Sequence, residues 1–384
     1  MSIKEKTVYI DAHATTPVDT EVLAAMLPYF TEYFGNGSHR EGRKTTSAAE
    51  EARFKAAHLI GSRPSEIVFT GGATEAINLA LLGLANGHRG DRNHIITQKT
   101  EHKAVLNTIA ALEYRGFRVT RLETDQVGRI SLKDLEETIS CKTLVVAIML
   151  ANNEIGTVQP VSKVGKICRK YGAKFFCDLT QGIGWHPVDV DAMNIDFAAF
   201  SSHKIYGPRG VGALYARRWP KVKLESILFG GGQEKGIRPG TLNIPGIVGF
   251  GKACELQQSN GTKDWERIQA MRDHLYNTLI SKIGMLTLNG CPENRHPGNL
   301  NISIPKMAGE ELMEALPNII FSTSSACTSG SAEPSHVIKA ISKDGEDKKG
   351  AFRLGLNKYN TIQEVDFVVD QIAGYYGKRY AGKK

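Results

Sequence analysis

Residues 196–208 place a lysine where a surface role is hard to justify. The run Phe200-Ser201-Ser202-His203-Lys204-Ile205-Tyr206-Gly207-Pro208 follows Asp196-Phe197-Ala198-Ala199, and the apolar part reads as a short buried strand. Lys204 therefore falls at a strand end, where side chains enter a cleft. A desolvated amine there loses its proton readily enough to act as a Schiff-base nucleophile. Four other runs carry complementary chemistry. Thr70-Gly71-Gly72-Ala73-Thr74-Glu75 joins strand to helix through small residues, so free N–H groups at the helix start can meet a phosphate. It has neither G-x-G-x-x-G spacing nor a Walker lysine, which argues against dinucleotides and nucleoside triphosphates. Asp178, in Phe175-Phe176-Cys177-Asp178-Leu179-Thr180-Gln181, stands at the carboxyl end of a second buried strand, as a ligand-facing acid or as a helix N-cap. Asn152-Asn153-Glu154 and Thr100-Glu101-His102-Lys103 follow two further strands. A phosphate cup, an acid, a flat imidazole and a lysine on one sheet edge are what pyridoxal phosphate requires.

The elements that must position these residues alternate. Strands are expected at Glu66–Thr70, His94–Thr97, Phe117–Leu122, Thr143–Met149, Lys174–Cys177, Asp196–Phe200 and Val211–Tyr215. Helices fall between them at Ala73–Leu84, His102–Arg115, from Ser131, and at Val161–Tyr171. The Thr143–Met149 run is apolar apart from its first residue, as in a strand covered on both faces. This alternation predicts an α/β fold, with a mainly parallel sheet between two helical layers. Upstream, Val8–Ile10 reads as a strand, Glu21–Phe34 as one helix, and Ser47-Ala48-Ala49-Glu50 as a capping box opening a helix to Ile60. Beyond Gly246, two helices (Ile247–Gln257 and Trp265–Ile283) precede shorter strands, longer loops and a last helix from Ile362. That change predicts a smaller α+β domain packed closely on the first.

With 384 residues, 41% hydrophobic and 23% charged, the chain has the make-up of a globular protein of two or three domains. No apolar run of about 18 residues marks a membrane span, and the start shows neither signal nor transit pattern, so a cytoplasmic location is expected. Six cysteines without a C-x-x-C pair signal neither a disulfide framework nor a zinc site. Five are expected to pack as small hydrophobes; Cys327 is not. The net charge of +8 reads as a solvated surface with a basic tail rather than a face that binds nucleic acid directly, an acidic partner or tRNA contact being the alternative.

Taken in chain order, Asp11–Pro17, Thr70–Asn78, Thr100–Val105, Asn152–Gly156, Asp178–Gln181, Ser201–Pro208, Gly230–Thr241 and Ser324–Pro334 closely resemble the cysteine desulfurases of the NifS/IscS type, within the class V aminotransferase family. The resemblance implies the PLP-dependent transferase fold type I. A large domain, residues 17–250, would carry a seven-stranded sheet, and a small domain would combine residues 1–16 and 251–384. It further implies that Lys204 carries the cofactor, that His102 stacks on the ring and moves protons, and that Asp178 and Gln181 meet the ring nitrogen and phenolic oxygen. Thr74, Ser201 and His203 would hold the phosphate beside Ala73, with Thr241 reaching across from the second subunit of a homodimer. Asn153, also a cofactor contact, and Arg353 would bind the carboxylate of L-cysteine.

By composition Ser322-Thr323-Ser324-Ser325-Ala326-Cys327-Thr328-Ser329-Gly330-Ser331 is a polar loop exposing one thiol, the setting of a reactive cysteine. The family's long-loop, group I pattern S-S-x-S-A-C-T-S is matched here with Ser325 in the last serine place. It makes Cys327 the nucleophile that takes sulfur from cysteine, leaving alanine and a persulfide for an acceptor or scaffold protein in iron–sulfur cluster assembly, tRNA thiolation or DNA thiolation. No resident metal is expected; Cys327 is at most a transient iron–sulfur ligand. The alternatives are a selenocysteine lyase or a small-molecule aminotransferase of the same fold, the latter leaving that thiol idle, and a pure scaffold, which would bind no pyridoxal phosphate. The sequence departs from the commoner pattern at Leu179 and Ser202, in a shortened segment at residues 36–39, and at Gly355, Asn357 and Lys358, where serine, glycine and arginine are more usual.

Overall fold

The computed structural model describes residues 7–35, 42–88, 90–323, 334–342 and 350–380. In chain order the strands are β1 (Val8–Tyr9), β2 (Ile67–Thr70), β3 (His94–Gln98), β4 (Arg118–Leu122), β5 (Thr143–Ala147), β6 (Lys174–Asp178), β7 (Phe197–Ser201), β8 (Gly212–Ala216), β9 (Thr287–Leu288), β10 (Asn299–Ser303), β11 (Ile319–Ile320), β12 (Ser322–Thr323) and β13 (Ala351–Gly355). The helices are α1 (Thr20–Met26), α2 (Pro28–Thr31), α3 (Gly42–Leu59), α4 (Ala73–Gly87), α5 (Lys103–Tyr114), α6 (Leu132–Thr138), α7 (Val161–Tyr171), α8 (Ile244–Ile283), α9 (Gly309–Ala315), α10 (His336–Ile341) and α11 (Ile362–Tyr380).

The seven expected strands form one sheet in the order β2-β8-β7-β6-β5-β3-β4. β3 to β7 run parallel, and β8 is antiparallel to both its neighbours. Every residue of β2, β3, β5 and β7 is buried, because helices cover both faces. Phe69, Phe175 and Phe200 pack with α3, α7 and the start of α8 on one face; Phe176, Phe197 and Leu214 pack with α4 and α5 on the other. A second sheet, β12-β13-β10-β9, builds a separate core with α11 and the far end of α8. β1 pairs in parallel with β11, and Asp11 bridges to Gly355. From there the chain runs to the lysine turn, where Thr16 N–H donates to the His203 carbonyl (3.0 Å) and Asp19 N–H to that of Tyr206 (2.9 Å).

Three expectations about helices are corrected. The stretch Glu21–Phe34 is two helices, because Pro28 lacks the N–H a continuous helix needs and starts a new one. α3 is already helical at Gly42, so Ser47 lies inside it and caps nothing; the Thr45 and Thr46 hydroxyls donate back to the Gly42 carbonyl (2.8 and 3.0 Å). The two helices after Gly246 are one helix of 40 residues. Its polar middle stays helical because Gly261 packs on the Gly184 carbonyl, 2.7 Å from where a Cβ would stand, and Trp265 Nε1–H donates to that same oxygen (2.8 Å). Of the five cysteines expected to be packed, four are buried and Cys141 is exposed.

Candidate active site

The carboxyl ends of β5, β6 and β7 open into a cavity of about 910 Å³, on the edge where α/β sheets receive ligands. Lys204 ends a short helical turn after β7, at Ser202–Lys204. Its Nζ donates to the carbonyls of His13 (2.5 Å) and Ala14 (2.8 Å), so the ammonium is held on the segment that crosses from the small sheet. The following residue but one, Tyr206, adopts a left-handed backbone (φ 67°). This costly conformation for a bulky side chain is held by Lys358 N–H on its hydroxyl (2.8 Å) and by its own N–H on Thr16 Oγ1 (2.9 Å). Lys358, one of the departures, closes the arrangement: its Nζ pairs with Asp19 (2.5 Å) and stands 4.5 Å from the centre of the Tyr206 ring. Asn357 takes a structural place, donating to the Tyr9 carbonyl (3.2 Å).

Asp178 closes β6, and Thr180 N–H on its Oδ1 (2.9 Å) fixes the carboxylate's rotation. Gln181, one turn on, reaches His13: Nε2–H donates to the His13 carbonyl, and Oε1 meets His13 Nδ1, both at 3.0 Å. Across the sheet edge, His102 caps α5, accepting Ala104 N–H on Nδ1 (3.1 Å). That bond leaves the ring proton of the neutral form on Nε2. The protein around the imidazole desolvates it and lowers its pKa; Asp178 opposes this, while Lys204, His336 and Lys103 add to it. Beneath it, burial raises the Glu101 carboxyl to about 8, so it is neutral at pH 7; its Oε1 accepts from Gln98 Nε2 and Met149 N, both at 2.6 Å.

On the other side of the lysine, Gly71-Gly72 lead into α4, whose first N–H groups have no acceptor within the helix. Gly212 must be glycine here: a Cβ would lie 2.8 Å from Gly72 Cα and 2.6 Å from the Phe200 carbonyl. Ala73, Thr74, Ser201 and His203 all line this end of the cavity. Burial, then the charges of Lys204 and Arg209, lower the His203 pKa to about 4, which leaves a neutral ring beside Thr15 Oγ1 (3.0 Å). The one acid at the cup, Glu75, accepts Gly71 N–H (2.8 Å) and is neutralised by Arg238 Nε (2.7 Å).

Arg353 and Asn153 close the far wall. The guanidinium Nη2 donates to Asp11 Oδ1 (2.6 Å) and Ser322 Oγ (3.0 Å), and Nη1 to the Asn153 carbonyl (2.9 Å); its buried Nε has no partner among the described residues. Thr241 is the exception. It lies in a separate pocket of about 480 Å³ with Tyr29, Tyr33 and Phe34. Cys327 lies outside the described residues. The residues either side of residues 324–333 are tied to this site: Ser322 lines the cavity, Ser335 Oγ donates to Glu154 (2.5 Å), and His336 Nε2 to the Glu101 carbonyl (2.9 Å). Residue spacing gave no hint of His13, Asp11 or Ser335, because each acts through a partner far along the chain.

The family model described as aminotransferase class-V matches residues 8–368. A curated relative, the cysteine desulfurase IscS of Anaeromyxobacter dehalogenans (strain 2CP-C), is 47% identical over 365 residues, 94% of this chain and 90% of that one. A solved structure of a NifS-like protein superposes with a TM-score of 0.90 at 36% identity, over 97% of this chain and 100% of that one. A second, SspA in complex with cysteine, gives 0.80 at 36%, covering 92% of this chain and 100% of the other.

Proposed function

This chain belongs to the class-V aminotransferase family and is a cysteine desulfurase, and on that premise we propose how its own residues divide the work around pyridoxal phosphate in the cavity at Lys204. One observation carries the reading: a lysine amine, a strand-end carboxylate, an oriented amide, a helix start and a buried guanidinium, whose Nε has no partner among the described residues, converge on one cavity. Those groups fit the cofactor's aldehyde, ring nitrogen, phenolic oxygen and phosphate, and an amino acid's carboxylate. When bound, the cofactor supplies an electron sink for the pair left at the substrate's Cα. Lys204 Nζ anchors it and, as a free amine, removes the Cα proton. Asp178 holds a proton at the ring nitrogen, and Gln181 donates to the phenolic oxygen.

Ala73, Thr74, Ser201, His203 and the α4 N–H groups hold the phosphate. Arg353 binds the cysteine carboxylate, with Asn153 beside it. To accept a proton, His102 must release the Ala104 N–H bond and carry a charge where burial has already removed solvent. An imidazolium formed there is a stronger acid than an exposed one, which suits His102 to proton delivery. Cys327 takes the sulfur. L-Cysteine and the Cys327 thiol give L-alanine and a Cys327 persulfide, a balance needing no outside oxidant or reductant. The persulfide then passes to an acceptor protein of iron–sulfur assembly or nucleic-acid thiolation.

The working unit is a homodimer. Its support is the place of Thr241, outside the Lys204 cavity of its own chain, and the exposed Leu27, Phe30 and Phe34 on and beside α2, an apolar face a second copy would cover. The two cores, one around the large sheet and one around β10 and β13, support two domains at residues 17–250 and at 1–16 with 251–384. Among the described residues no helix is long and apolar enough to cross a membrane; a cytoplasmic location is part of the proposal.

Lys204→Ala is expected to abolish the visible absorption band of the lysine-bound cofactor; a retained band would overturn the lysine assignment. Cys327→Ser should keep that band and form no persulfide from cysteine. Undiminished sulfide release without added thiol would count against Cys327.

A further inference from the structure

We propose that His13 is a positioning residue that fixes the rotation of the Gln181 amide. The proposal rests on the reading of Gln181 as the partner of the cofactor's phenolic oxygen. Gln181 touches His13 twice, at 3.0 Å through each end of its amide. The His13 carbonyl can only accept, so the amide atom facing it is the NH₂. The atom facing Nδ1 is then the oxygen, and Nδ1 must carry the ring proton. The imidazole is neutral, since burial, followed by the charge of Arg353, lowers its pKa to about 3. Its Nε2 then carries the lone pair; it is buried with no well-formed hydrogen bond among the described residues, although the Gly298 backbone lies close enough to oppose part of the fall in pKa.

That bare atom is a desolvation cost a leucine would avoid, so packing alone does not account for a histidine here. Nδ1–H does: with it in place the amide cannot flip, and its second N–H remains for the ligand. The ring itself cannot turn easily, because His296 packs edge-on against it at 4.5 Å and Trp185 packs against His296 at the same distance. Trp185 Nε1–H in turn holds the Gln181 carbonyl (2.6 Å). A Cβ on Gly355 would lie 2.9 Å from His13 Cδ2 and 3.0 Å from the Ala12 nitrogen. The Ala12 and His13 backbone crowds that position as well as the His13 ring.

The first test uses the cofactor-free full chain with 15N-labelled histidine. His13 should show the neutral Nδ1–H pattern in long-range 1H–15N spectra, unchanged from pH 8 to pH 5; an Nε2–H pattern, or titration near pH 6, overturns the clamp. The second reads the visible band of the holoenzyme against pH. A donor on the phenolic oxygen draws charge from it and loosens the proton shared with the lysine nitrogen, so losing the donor moves the midpoint up. His13→Leu and Gln181→Leu should each raise it by about one pH unit. His13→Gln, whose side-chain N–H can replace Nδ1–H, should stay near the parent. A shift in Gln181→Leu without one in His13→Leu overturns the positioning role. No shift in either overturns the reading of Gln181, and the proposal with it.

Discussion

Arg353 is held on three sides before any substrate arrives, by Asp11, Ser322 and the Asn153 carbonyl. Two of the three bonds fall on one nitrogen, Nη2, which fixes the guanidinium plane; Nε–H is buried without a partner among the described residues. A lysine has one point charge in place of that fork. Arg353→Lys is therefore expected to raise KM for cysteine about 10- to 100-fold, as for the loss of one charged hydrogen bond, with kcat changed by only a few-fold. Steady-state kinetics check it; a fall in kcat with KM unchanged would place Arg353 in the chemical step instead. At this scale the sequence was legible for the groups that face the cavity, since Lys204, Asp178, His102 and Thr74 each follow a strand that reads as one. It was not legible for the groups behind them. Asp11 meets Arg353 across 342 positions and His13 meets Gln181 across 168, and no local spacing reports such contacts.

The segment from Gly230 to Thr241 depends on one carboxylate. Glu234 takes Arg53 Nη1 and Nη2 (2.8 and 2.7 Å) and the Phe69 N–H (2.9 Å), on a left-handed backbone (φ 48°). Its side chain is 2% exposed and that of Arg53 10%. Glu234→Ala leaves Arg53 with only Glu50 (3.1 Å) and the Ile67 carbonyl (2.9 Å) and should lower stability by about 1.5–3 kcal/mol, readable as an earlier urea midpoint; a shift near zero would mean that those two partners suffice. The contact between α3 and α8 is as tight. A methyl at Gly251 would lie 2.6 Å from the Ala52 backbone, so Gly251→Ala should lower the melting temperature by forcing the helices apart. Strand and helix alternation in the large sheet was readable because every strand there is either wholly apolar or ends at a polar turn. The long helix was not: Ser259-Asn260-Gly261-Thr262-Lys263 has the composition of a loop, and only the distant Gly184 carbonyl makes a helix of it.

For the whole molecule, buried imidazoles set the response to acid. His13, His94, His102, His186, His203 and His296 all have pKa values below the usual histidine range, chiefly through burial. Their stabilisation is complete above about pH 6.5 and is lost as pH falls toward their folded values, because the unfolded chain binds the protons. Glu101, raised by burial to about 8, and Glu154, also raised by burial, act oppositely and gain stability as pH falls through their folded values. Six groups outweigh two, so the cofactor-free chain should melt at lower temperature at pH 5 than at pH 6.5; a flat or rising profile would refute this balance. The crossing of residues 8–19 from the small sheet to the lysine turn has a consequence in time. Lys204 is held by the carbonyls of residues 13 and 14, and that strip is itself fastened by residues 319–320, 353 and 358. A ribosome emits residues 13 and 14 more than 300 residues before residues 353 and 358. A nascent chain stalled before residue 350 has the strands of the large sheet but lacks the Arg353 and Lys358 fastenings of the lysine turn, so cofactor capture should wait until residue 358 has emerged.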